Sequence, residues 1–478
     1  MIILKTEFDG FFSDICEVVR LFWPDAEIAL EGVGASLIHH HEQTGDEWVE
    51  AWAFEGHSIT HRAKACGHDA DALEKKRMLK RCVKTGLYLL MMDMTNERPP
   101  WGSLTGIRPT RLLYEAISDG MTMDQGMRWI EDTFYVYPEK AKLLGEILTM
   151  QRGLIERAKN TYDVYIGIPF CVTRCAYCSF AAGELGDGRL VEPYLMALFH
   201  EMDETSKLMR ESGQIVRACY MGGGTPTALT VGQLERVLDR AQVCFPGAIE
   251  WTVEAGRPDT IDEAKLRVMR EHNIDRISIN PQTFSDETLK RIGRSHNCDQ
   301  TIRAYDLARS IGFDNINMDL ICALPGESLS DFGLTLERVC ALSPESVTVH
   351  TLAIKRASRL RETGYVQASA ADAGAMVDLA RRQLNAHGYN AYYLYRQKYM
   401  AGNLENVGYA KPGYACVYNI DIMEETAPIL ALGSGAITKW LFDRERRIER
   451  APNVKNIEQY IGRVDEMIER KCQLILGG

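Results

Sequence analysis

The sequence lacks any long hydrophobic run: no stretch of about 18 or more apolar residues occurs along its 478 positions. We therefore expect no transmembrane helix, which needs about 20 such residues. The first ten residues already contain Glu7 and Asp9, which is unlike a secretory signal. Fixed-period repeats and low-complexity tracts are also missing. With 46% hydrophobic and 25% charged residues, the composition is that of a globular chain of two or three domains.

An excess of basic charge is absent too, because Asp and Glu outnumber Lys and Arg by 66 to 55. This argues against a protein that binds nucleic acid over its whole surface. Residues 57–111 are the local exception, with eleven basic and five acidic residues. That stretch can contact an anionic partner, but such a run is more often a solvated helix face.

A disulfide framework is also not expected, since the 13 cysteines are odd in number and spread over a long chain. We predict a reducing, cytoplasmic location. In that setting, clustered cysteines serve as metal ligands or reactive groups.

Residues 1–160 are predicted to form an α+β domain of unknown role. Short, partly alternating runs predict strands, and helical periodicity predicts four helices, the first of them strongly basic. His39, His40 and His41 alternate along a strand, so we expect them to point to opposite faces and to bind nothing. The predicted strands are 1–5, 27–30, 35–40 and 48–54, and the predicted helices are 70–92, 110–118, 123–134 and 138–159.

From residue 161 onward, strands alternate with helices. Six consecutive β-then-α units imply a parallel sheet with right-handed crossovers, and we predict a partial TIM-like barrel over 161–370. Residues 371–478 are expected to form a small α/β extension covering the active site, with a helix at 371–387, a strand at 389–394 and a helix at 457–469. The barrel strands are predicted at 163–168, 217–220, 250–253, 276–279, 315–319 and 346–351, and the helices at 191–211, 231–244, 262–271, 286–292, 300–311 and 329–342.

Cys171, Cys175 and Cys178 are spaced C-x3-C-x2-C directly after the first barrel strand. Thiolates at this spacing can surround one compact soft-metal centre. An ordinary electron-transfer [4Fe–4S] cluster takes four cysteines, but the next one, Cys219, lies a strand away. Three ligands would leave one metal position open for chemistry. A zinc site completed by a distant histidine and a redox-active Cys175–Cys178 pair are the alternatives.

Gly222, Gly223 and Gly224 follow the second barrel strand in the run Met-Gly-Gly-Gly-Thr-Pro. Glycines let a backbone approach a ligand closely and expose its amide groups. Such a run alone is usually a tight turn. Here it falls beside the cysteine loop at the carboxyl end of a strand, where a barrel carries its active site.

Together, the cysteine and glycine motifs resemble the signatures of radical S-adenosylmethionine (SAM) enzymes. Further motifs resemble the oxygen-independent coproporphyrinogen III oxidase group, and the run from Trp101 to Arg111 resembles its HemZ-type branch. The resemblance implies a [4Fe–4S] cluster on the three cysteines, SAM chelating the open iron, a porphyrinogen substrate, and a flavodoxin- or ferredoxin-type electron donor. The motifs are Thr-Val-Glu254-Ala, Ser-Ile-Asn-Pro-Gln282-Thr-Phe, Arg-Ile-Gly-Arg294, Asn-Met-Asp319-Leu-Ile and Leu324-Pro-Gly.

The resemblance also implies a set of SAM-binding residues. A carboxylate such as Glu254 suits an ammonium group, Arg294 can grip a carboxylate, and Asp319 can accept hydrogen bonds from ribose hydroxyls. A salt-bridge network at the barrel end is the structural alternative for these three. The implied set is Tyr165, Gly222, Gly223, Gly224, Thr225, Glu254, Gln282, Arg294, Asp319, Ala353 and Ile437.

The reaction implied is oxidative decarboxylation in haem biosynthesis. A 5′-deoxyadenosyl radical takes hydrogen from a propionate β-carbon, and loss of carbon dioxide and one electron leaves a vinyl group. Two departures stand out. Phe180 replaces a fourth cysteine, and the Asn406–Ala410 run only partly matches the H-N-x-x-Y-W element of haem chaperones, lacking its His and Trp. Haem transfer, and haem methylation with ring opening, are the rival functions.

Cationic side chains after the sixth strand are candidates for binding the propionates of the substrate. We predict that Arg356 or Arg359 meets one of them, since arginine grips carboxylates well. A solvated helix start is the alternative. The cations concerned are Lys355, Arg356, Arg359 and Arg361.

Overall fold

We describe the protein from a computed structural model. Three residues singled out in the sequence, Phe180, Lys355 and Arg356, lie outside the described residues, as does the side chain of Arg361. The chain divides into two compact units: Met1–Gly145 with Gly402–Leu404, and Glu146–Ala401 with Glu405–Gly478. The described residues are 1–67, 71–106, 108–179, 182–354, 358–362, 365, 368–397, 400–442 and 447–477.

The first unit is built on a five-stranded sheet in the order β2-β1-β3-β4-β5. Strand β1 runs parallel to β2 and β3, and β3, β4 and β5 form an antiparallel meander. The strands are β1 Ile2–Lys5, β2 Ile28–Ala29, β3 Ala35–Thr44, β4 Glu47–Phe54 and β5 His57–Lys64. The helices are α1 Phe12–Phe22, α2 Ala72–Thr95, α3 Thr110–Ser118, α4 Met123–Phe134 and α5 Pro138–Gln151, the last of which continues into the second unit.

The core of this unit lies between the sheet and the helices α1 and α2. Trp52 and Phe54 of β4 pack in one cluster with Phe22 of α1 and Leu87 of α2. Helix α1 was not predicted, although its apolar residues recur with helical spacing. Strand β5 was not predicted either, because Ile59 and Ala63 are the only apolar residues on its half-buried face and the rest of the strand is polar.

The three consecutive histidines alternate between the two faces of β3, as predicted. His39 and His41 share one face of β3, as residues two apart on a strand must, while His40 is exposed on the other. His39 Nε2 and His41 Nδ1 lie 2.8 and 2.9 Å from the two carboxylate oxygens of Glu50. Glu50 is buried on β4, where an unpaired carboxylate would be costly, so the histidines satisfy it.

Several cations of the basic stretch in the first unit pair with neighbouring acids. Arg77, Arg81 and Arg111 all reach Glu115 on α3. Lys80 pairs with an aspartate of α1 at 3.1 Å. These contacts fit the solvated-helix interpretation of residues 57–111.

The second unit contains an eleven-stranded sheet in the order β14-β15-β13-β12-β11-β10-β9-β6-β16-β17-β18. Neighbouring strands from β13 through β6 to β16 all pair in parallel, and the pairs at both edges are antiparallel. The predicted partial barrel is confirmed. The strands are β6 Thr161–Ile168, β7 Phe170–Cys171, β8 Gly183–Glu184, β9 Ile215–Gly223, β10 Glu250–Gly256, β11 Arg276–Ile279, β12 Ile316–Cys322, β13 Ser346–Thr351, β14 Asn390–Tyr395, β15 Asn406–Ala410, β16 Ile429–Leu432, β17 Ile437–Phe442 and β18 Arg447–Pro452.

Helices follow most of the parallel strands and cover the sheet. Capping boxes fix the starts of several, as at α7, where the Thr230 hydroxyl accepts from the Gln233 amide and the Gln233 side chain accepts from the Thr230 amide. Among the described residues, no helix combines the length and apolar character needed to cross a bilayer. The helices are α6 Val191–Glu211, α7 Val231–Cys244, α8 Glu263–Glu271, α9 Asp286–Arg291, α10 Cys298–Ile311, α11 Leu329–Leu342, α12 Arg359–Glu362, α13 Ala370–Ala386, α14 Val417–Glu424, α15 Ile457–Gly462 and α16 Val464–Leu476.

A buried polar network fastens the C-terminal helices to the barrel. Glu201 on α6 accepts hydrogen bonds from Lys471 Nζ at 2.6 Å, Tyr460 OH at 2.6 Å and Asn453 Nδ2 at 2.8 Å. The backbone N–H of Gly433 is a fourth donor, at 2.7 Å. Both charges of the Glu201–Lys471 pair are fully buried, and their remaining bonds offset the cost of desolvation.

Candidate active site

The three cysteines of the C-x3-C-x2-C motif lie on one loop at the carboxyl edge of the parallel strands. Cys171 ends β7, Cys175 and Cys178 follow, and all three are free and partly exposed. The loop is anchored at Ala176. The Ala176 N–H donates to Ile292 O at 2.9 Å, and its carbonyl accepts from Ser358 Oγ at 2.9 Å. Two neighbouring barrel loops therefore hold the segment between the last two cysteines.

The donor set fits an iron–sulfur cluster in its chemistry. Thiolates are soft ligands, and the Thr225 hydroxyl donates to Cys171 Sγ at 3.6 Å. Burial raises the pKa of the Cys171 thiol, and this hydrogen bond works in the opposite direction. In the parts of the chain that the structure describes, no three His, Cys, Asp or Glu residues are arranged so that they could hold a metal ion. A [4Fe–4S] cluster makes a different demand, because its cysteines bind separate iron atoms.

The glycine run packs directly against the cysteine loop. A Cβ on Gly224 would lie 2.6 Å from the Phe170 carbonyl oxygen, and one on Gly222 would lie 2.7 Å from Glu254 Oε2. Gly223 has a φ of +111°, which side chains other than glycine rarely adopt. The Thr225 N–H donates to Phe170 O at 2.8 Å and ties the two segments together. The glycine run and the cysteine loop therefore lie next to each other, as the sequence predicts.

A carboxylate and three stacked tyrosines occupy the barrel beside the glycine run. Tyr220 OH donates to Glu254 Oε1 at 2.5 Å. Burial raises the pKa of Glu254 to about 7, although the Tyr220 hydrogen bond opposes this shift. The Tyr220 ring stacks on Tyr418 at 4.7 Å and on Tyr165 at 6.4 Å between centroids. Tyr220 and Tyr418 were not predicted as site residues from the sequence. Tyr220 lies at the site because the register of β6 and β9 pairs it with Tyr165.

Asp319 on β12 lies in a polar setting that favours its charged form. Its Oδ1 accepts from Asn317 Nδ2 at 2.7 Å, and its Oδ2 is 3.8 Å from His350 Nε2. Burial opposes ionisation, but the proximity of His350 and the hydrogen bond from Asn317 hold the pKa of Asp319 below its usual value. His350 also lies 3.4 Å from the hydroxyl of Tyr395. No sequence motif marks His350, because its neighbours depend on strand pairing.

Gln282 and Arg294 present buried polar atoms without a protein partner. Gln282 has a φ of +68°, and its backbone bonds to Asp319 and Ile321 hold it between β11 and β12. Its side-chain Oε1 is buried and accepts no hydrogen bond. Arg294 Nη2 donates to Tyr177 OH on the cysteine loop at 2.8 Å, while its Nε and Nη1 are buried with no acceptor. Because such atoms are costly to leave unsatisfied, this edge of the barrel fits a polar, charged ligand.

The two remaining predicted SAM contacts lie at the same edge of the sheet. Ala353 follows β13 and bridges to Met400. Ile437 begins β17, just after β16 ends beside β6, and its side chain is exposed.

The predicted substrate cation that the structure describes has a partner. Arg359 Nη2 lies 3.1 Å from Glu184 Oε1, and both side chains are about half-exposed. Asn406 and Tyr409 are buried within β15, where Asn406 Oδ1 accepts from the Thr351 N–H at 2.8 Å.

Comparisons with known proteins identify the fold of the barrel. The family model described as the Radical SAM superfamily matches residues 165–339. The chain is similar to the solved structure of coproporphyrinogen III oxidase (HemN) from Escherichia coli, which is described as a radical SAM enzyme. The match covers 69% of this chain and 73% of the HemN chain, with a TM-score of 0.54 and 22% identity. That likeness establishes the fold.

Two curated relatives establish the family. The oxygen-independent coproporphyrinogen-III oxidase-like protein HemZ of Bacillus subtilis is 37% identical over 98% of this chain and 96% of its own. The heme chaperone HemW of Escherichia coli is 30% identical over 59% of this chain and 70% of its own. The chain therefore belongs to the radical SAM family that includes HemZ and HemW, whose cofactors are a [4Fe–4S] cluster and SAM.

Proposed function

We propose that this protein is a radical SAM enzyme that converts propionate side chains of coproporphyrinogen III into vinyl groups without oxygen. The observation that carries the proposal is the 37% identity that spans nearly the whole of the oxidase-like HemZ. The substrate itself is the part that the proposal adds, since HemZ is named only as oxidase-like.

We propose that Cys171, Cys175 and Cys178 ligate the cluster and that the implied set around them binds SAM. When bound there, these cofactors would supply the radical chemistry for hydrogen abstraction from a propionate side chain. The residues of the chain itself would hold the cofactors and orient them. Thr225 donates to a cluster thiolate, and Gly222 leaves room for the Glu254 carboxylate.

Charge complementarity supports this assignment of the SAM site. The Glu254 carboxylate suits the ammonium of the methionine moiety, and a nearby cation would keep Glu254 ionised despite burial. The unsatisfied Nε and Nη1 of Arg294 suit its carboxylate. Asp319, whose pKa is lowered, can accept hydrogen bonds from ribose hydroxyls. The stacked tyrosines place apolar rings beside these charges, which strengthens their interactions by excluding water.

Haem transfer is the second candidate, because the chain also covers 70% of the heme chaperone HemW at 30% identity. The environment of the partial H-N-x-x-Y-W element favours the oxidase. Glu405 and Ala410 stand where that element has His and Trp, and both are buried. Neither offers an exposed imidazole as a haem ligand.

Anaerobic turnover with mass analysis tests the proposal. The reconstituted protein would be incubated with SAM, a reductant, coproporphyrinogen III and a one-electron acceptor that takes up the electron lost with each carbon dioxide, with a Cys175→Ala variant as the matched control. We expect a product that has lost one carbon dioxide and two hydrogens per converted propionate, together with 5′-deoxyadenosine, and neither from the variant. Transfer of haem to an acceptor protein, with coproporphyrinogen unchanged, would support the chaperone function instead. Methylated or ring-opened haem would support the remaining rival, haem methylation with ring opening. The flavodoxin- or ferredoxin-type donor and the cytoplasmic location remain predictions.

A further inference from the structure

Arg257 joins the cysteine loop to the barrel through one end of its guanidinium. It follows β10, three residues after Glu254, and is only 3% exposed. Its Nη1 donates to the Thr173 carbonyl oxygen at 2.8 Å and to the Thr173 hydroxyl at 2.7 Å. Thr173 lies between Cys171 and Cys175, so the contact falls inside the cluster motif.

The other nitrogen atoms of the Arg257 guanidinium also donate hydrogen bonds. Nε and Nη2 form a fork on Asp259 at 3.1 and 2.9 Å, and Nη2 also donates to Ser295 Oγ at 3.1 Å. All five N–H donors of Arg257 thus have an acceptor. Ser295 adjoins Arg294, so Arg257 connects the cysteine loop with two loops that carry predicted SAM contacts.

We propose that Arg257 is a positioning residue that holds the cysteine loop and, with Asp259 as its counter-ion, sets the reduction potential of the cluster. Reduction adds negative charge to a cluster, so a nearby buried cation favours the reduced state and a nearby buried anion disfavours it. The Arg257–Asp259 pair balances these two effects beside the motif. Removing either member leaves the other charge uncompensated, and the two removals act in opposite directions.

This inference needs only the cluster, so it does not depend on which tetrapyrrole the enzyme takes. Arg257→Gln and Asp259→Asn would each be reconstituted anaerobically in the full chain. The fraction of reduced cluster would be followed by electron paramagnetic resonance during redox titration. Arg267→Gln on α8, an exposed arginine paired with Glu263 in the same barrel, is the matched control.

We expect opposite shifts from the two variants. At a fixed potential, Arg257→Gln should lower the ratio of reduced to oxidised cluster about tenfold, equivalent to about 59 mV for a one-electron couple. Asp259→Asn should raise the ratio, and the control should leave it unchanged. Shifts of the same sign in both variants would reduce Arg257 to a structural role, and no shift in either would overturn the proposal.

A separate measurement tests whether Arg257 holds the cysteine loop in place. Thr173→Val removes only the hydroxyl acceptor and keeps the loop backbone, so it should fold even if Arg257→Gln does not. We expect it to lose iron to a chelator several-fold faster than the wild type while its potential stays close to normal. Iron loss at the wild-type rate would contradict the positioning role.

Discussion

The hydroxyl of Tyr220 on β9 donates a 2.5 Å hydrogen bond to the carboxylate of Glu254 on the neighbouring strand β10. Burial raises the pKa of Glu254 to about 7, and the bond from Tyr220 is the largest effect that opposes the rise. The ionisation of a predicted SAM ligand therefore depends in part on a residue that no sequence motif marks.

Replacing Tyr220 with phenylalanine should raise the pKa of Glu254 further. The ring and its stacking are kept, but the hydrogen bond that favours the charged carboxylate is lost. Titration of the labelled Glu254 carboxyl carbon by NMR in the cofactor-free protein would measure the shift. Tyr395→Phe is the control, and a Glu254 pKa that is unchanged or lower in Tyr220→Phe would contradict the account.

Glu254→Gln should stabilise the cofactor-free protein at alkaline pH. A carboxyl whose pKa is raised on folding contributes stability below its ordinary value of 4.5, and this is lost as the pH rises through about 7. The variant should therefore unfold like the wild type near pH 4.5. Above pH 8 it should be more stable by up to about 3 kcal/mol, at 1.36 kcal/mol per pKa unit. Urea unfolding at both pH values would check this, and equal stabilities at pH 8 would rule it out.

Only three of the 13 cysteines should bind iron. Alanine at Cys171, Cys175 or Cys178 should abolish the cluster and SAM cleavage, because these three share one loop. Cys472→Ser on α16 serves as the partly exposed control and should retain both. Iron and sulfide analysis after anaerobic reconstitution would decide, and zinc in place of iron in the wild type would defeat the enzyme proposal.

Gly224→Ala should damage the cysteine loop, because its new Cβ would fall 2.6 Å from the Phe170 backbone. Overpacking of this kind costs about 1–3 kcal/mol. Gly232→Ala on α7 has nothing within 4 Å and should instead gain about 0.5–1 kcal/mol from helix propensity. Thermal unfolding and iron content of the two variants give the comparison. Similar behaviour of both would show that the close approach is not needed.

Arg359→Ala should weaken porphyrinogen binding by about 2–3 kcal/mol, the scale of a hydrogen bond to a charged group, while uncoupled SAM cleavage survives. Since Arg359 is held by Glu184 in the free protein, Glu184→Gln should release it and leave binding equal or tighter. Dissociation constants for the substrate would test both variants. An unchanged constant in Arg359→Ala would return this residue to the solvated surface.

The parallel part of the barrel could be predicted because its signals are local. Helices α6, α7 and α11 begin and end at the predicted residues, and capping boxes mark the starts of α7 and α11. Two missed elements of the second unit have no such signal. Strand β16 spans only Ile429–Leu432, and α14 is largely buried without a clear apolar stripe. Their place in the fold depends on partners distant in sequence.

The residues of the candidate site likewise fall into a group that local motifs predict and a group that they do not. Cysteine spacing and the glycine run identify the cofactors, because these motifs are contiguous. Arg257, His350 and Tyr220 could not be singled out, because their roles arise from contacts between different strands and loops. Burial of the Glu254 carboxylate likewise follows from how the barrel closes around it.

Strands β6 and β16 are neighbours in the sheet, yet about 260 residues separate them along the chain. A ribosome adds about 5–20 residues per second, so β6 emerges roughly 13–50 s before the strand that covers its edge. During that interval the nascent chain presents an unpaired, largely apolar strand edge, which invites pairing with other chains. Correct folding of this chain therefore depends on the synthesis of β16, and premature termination before β16 would release an aggregation-prone product.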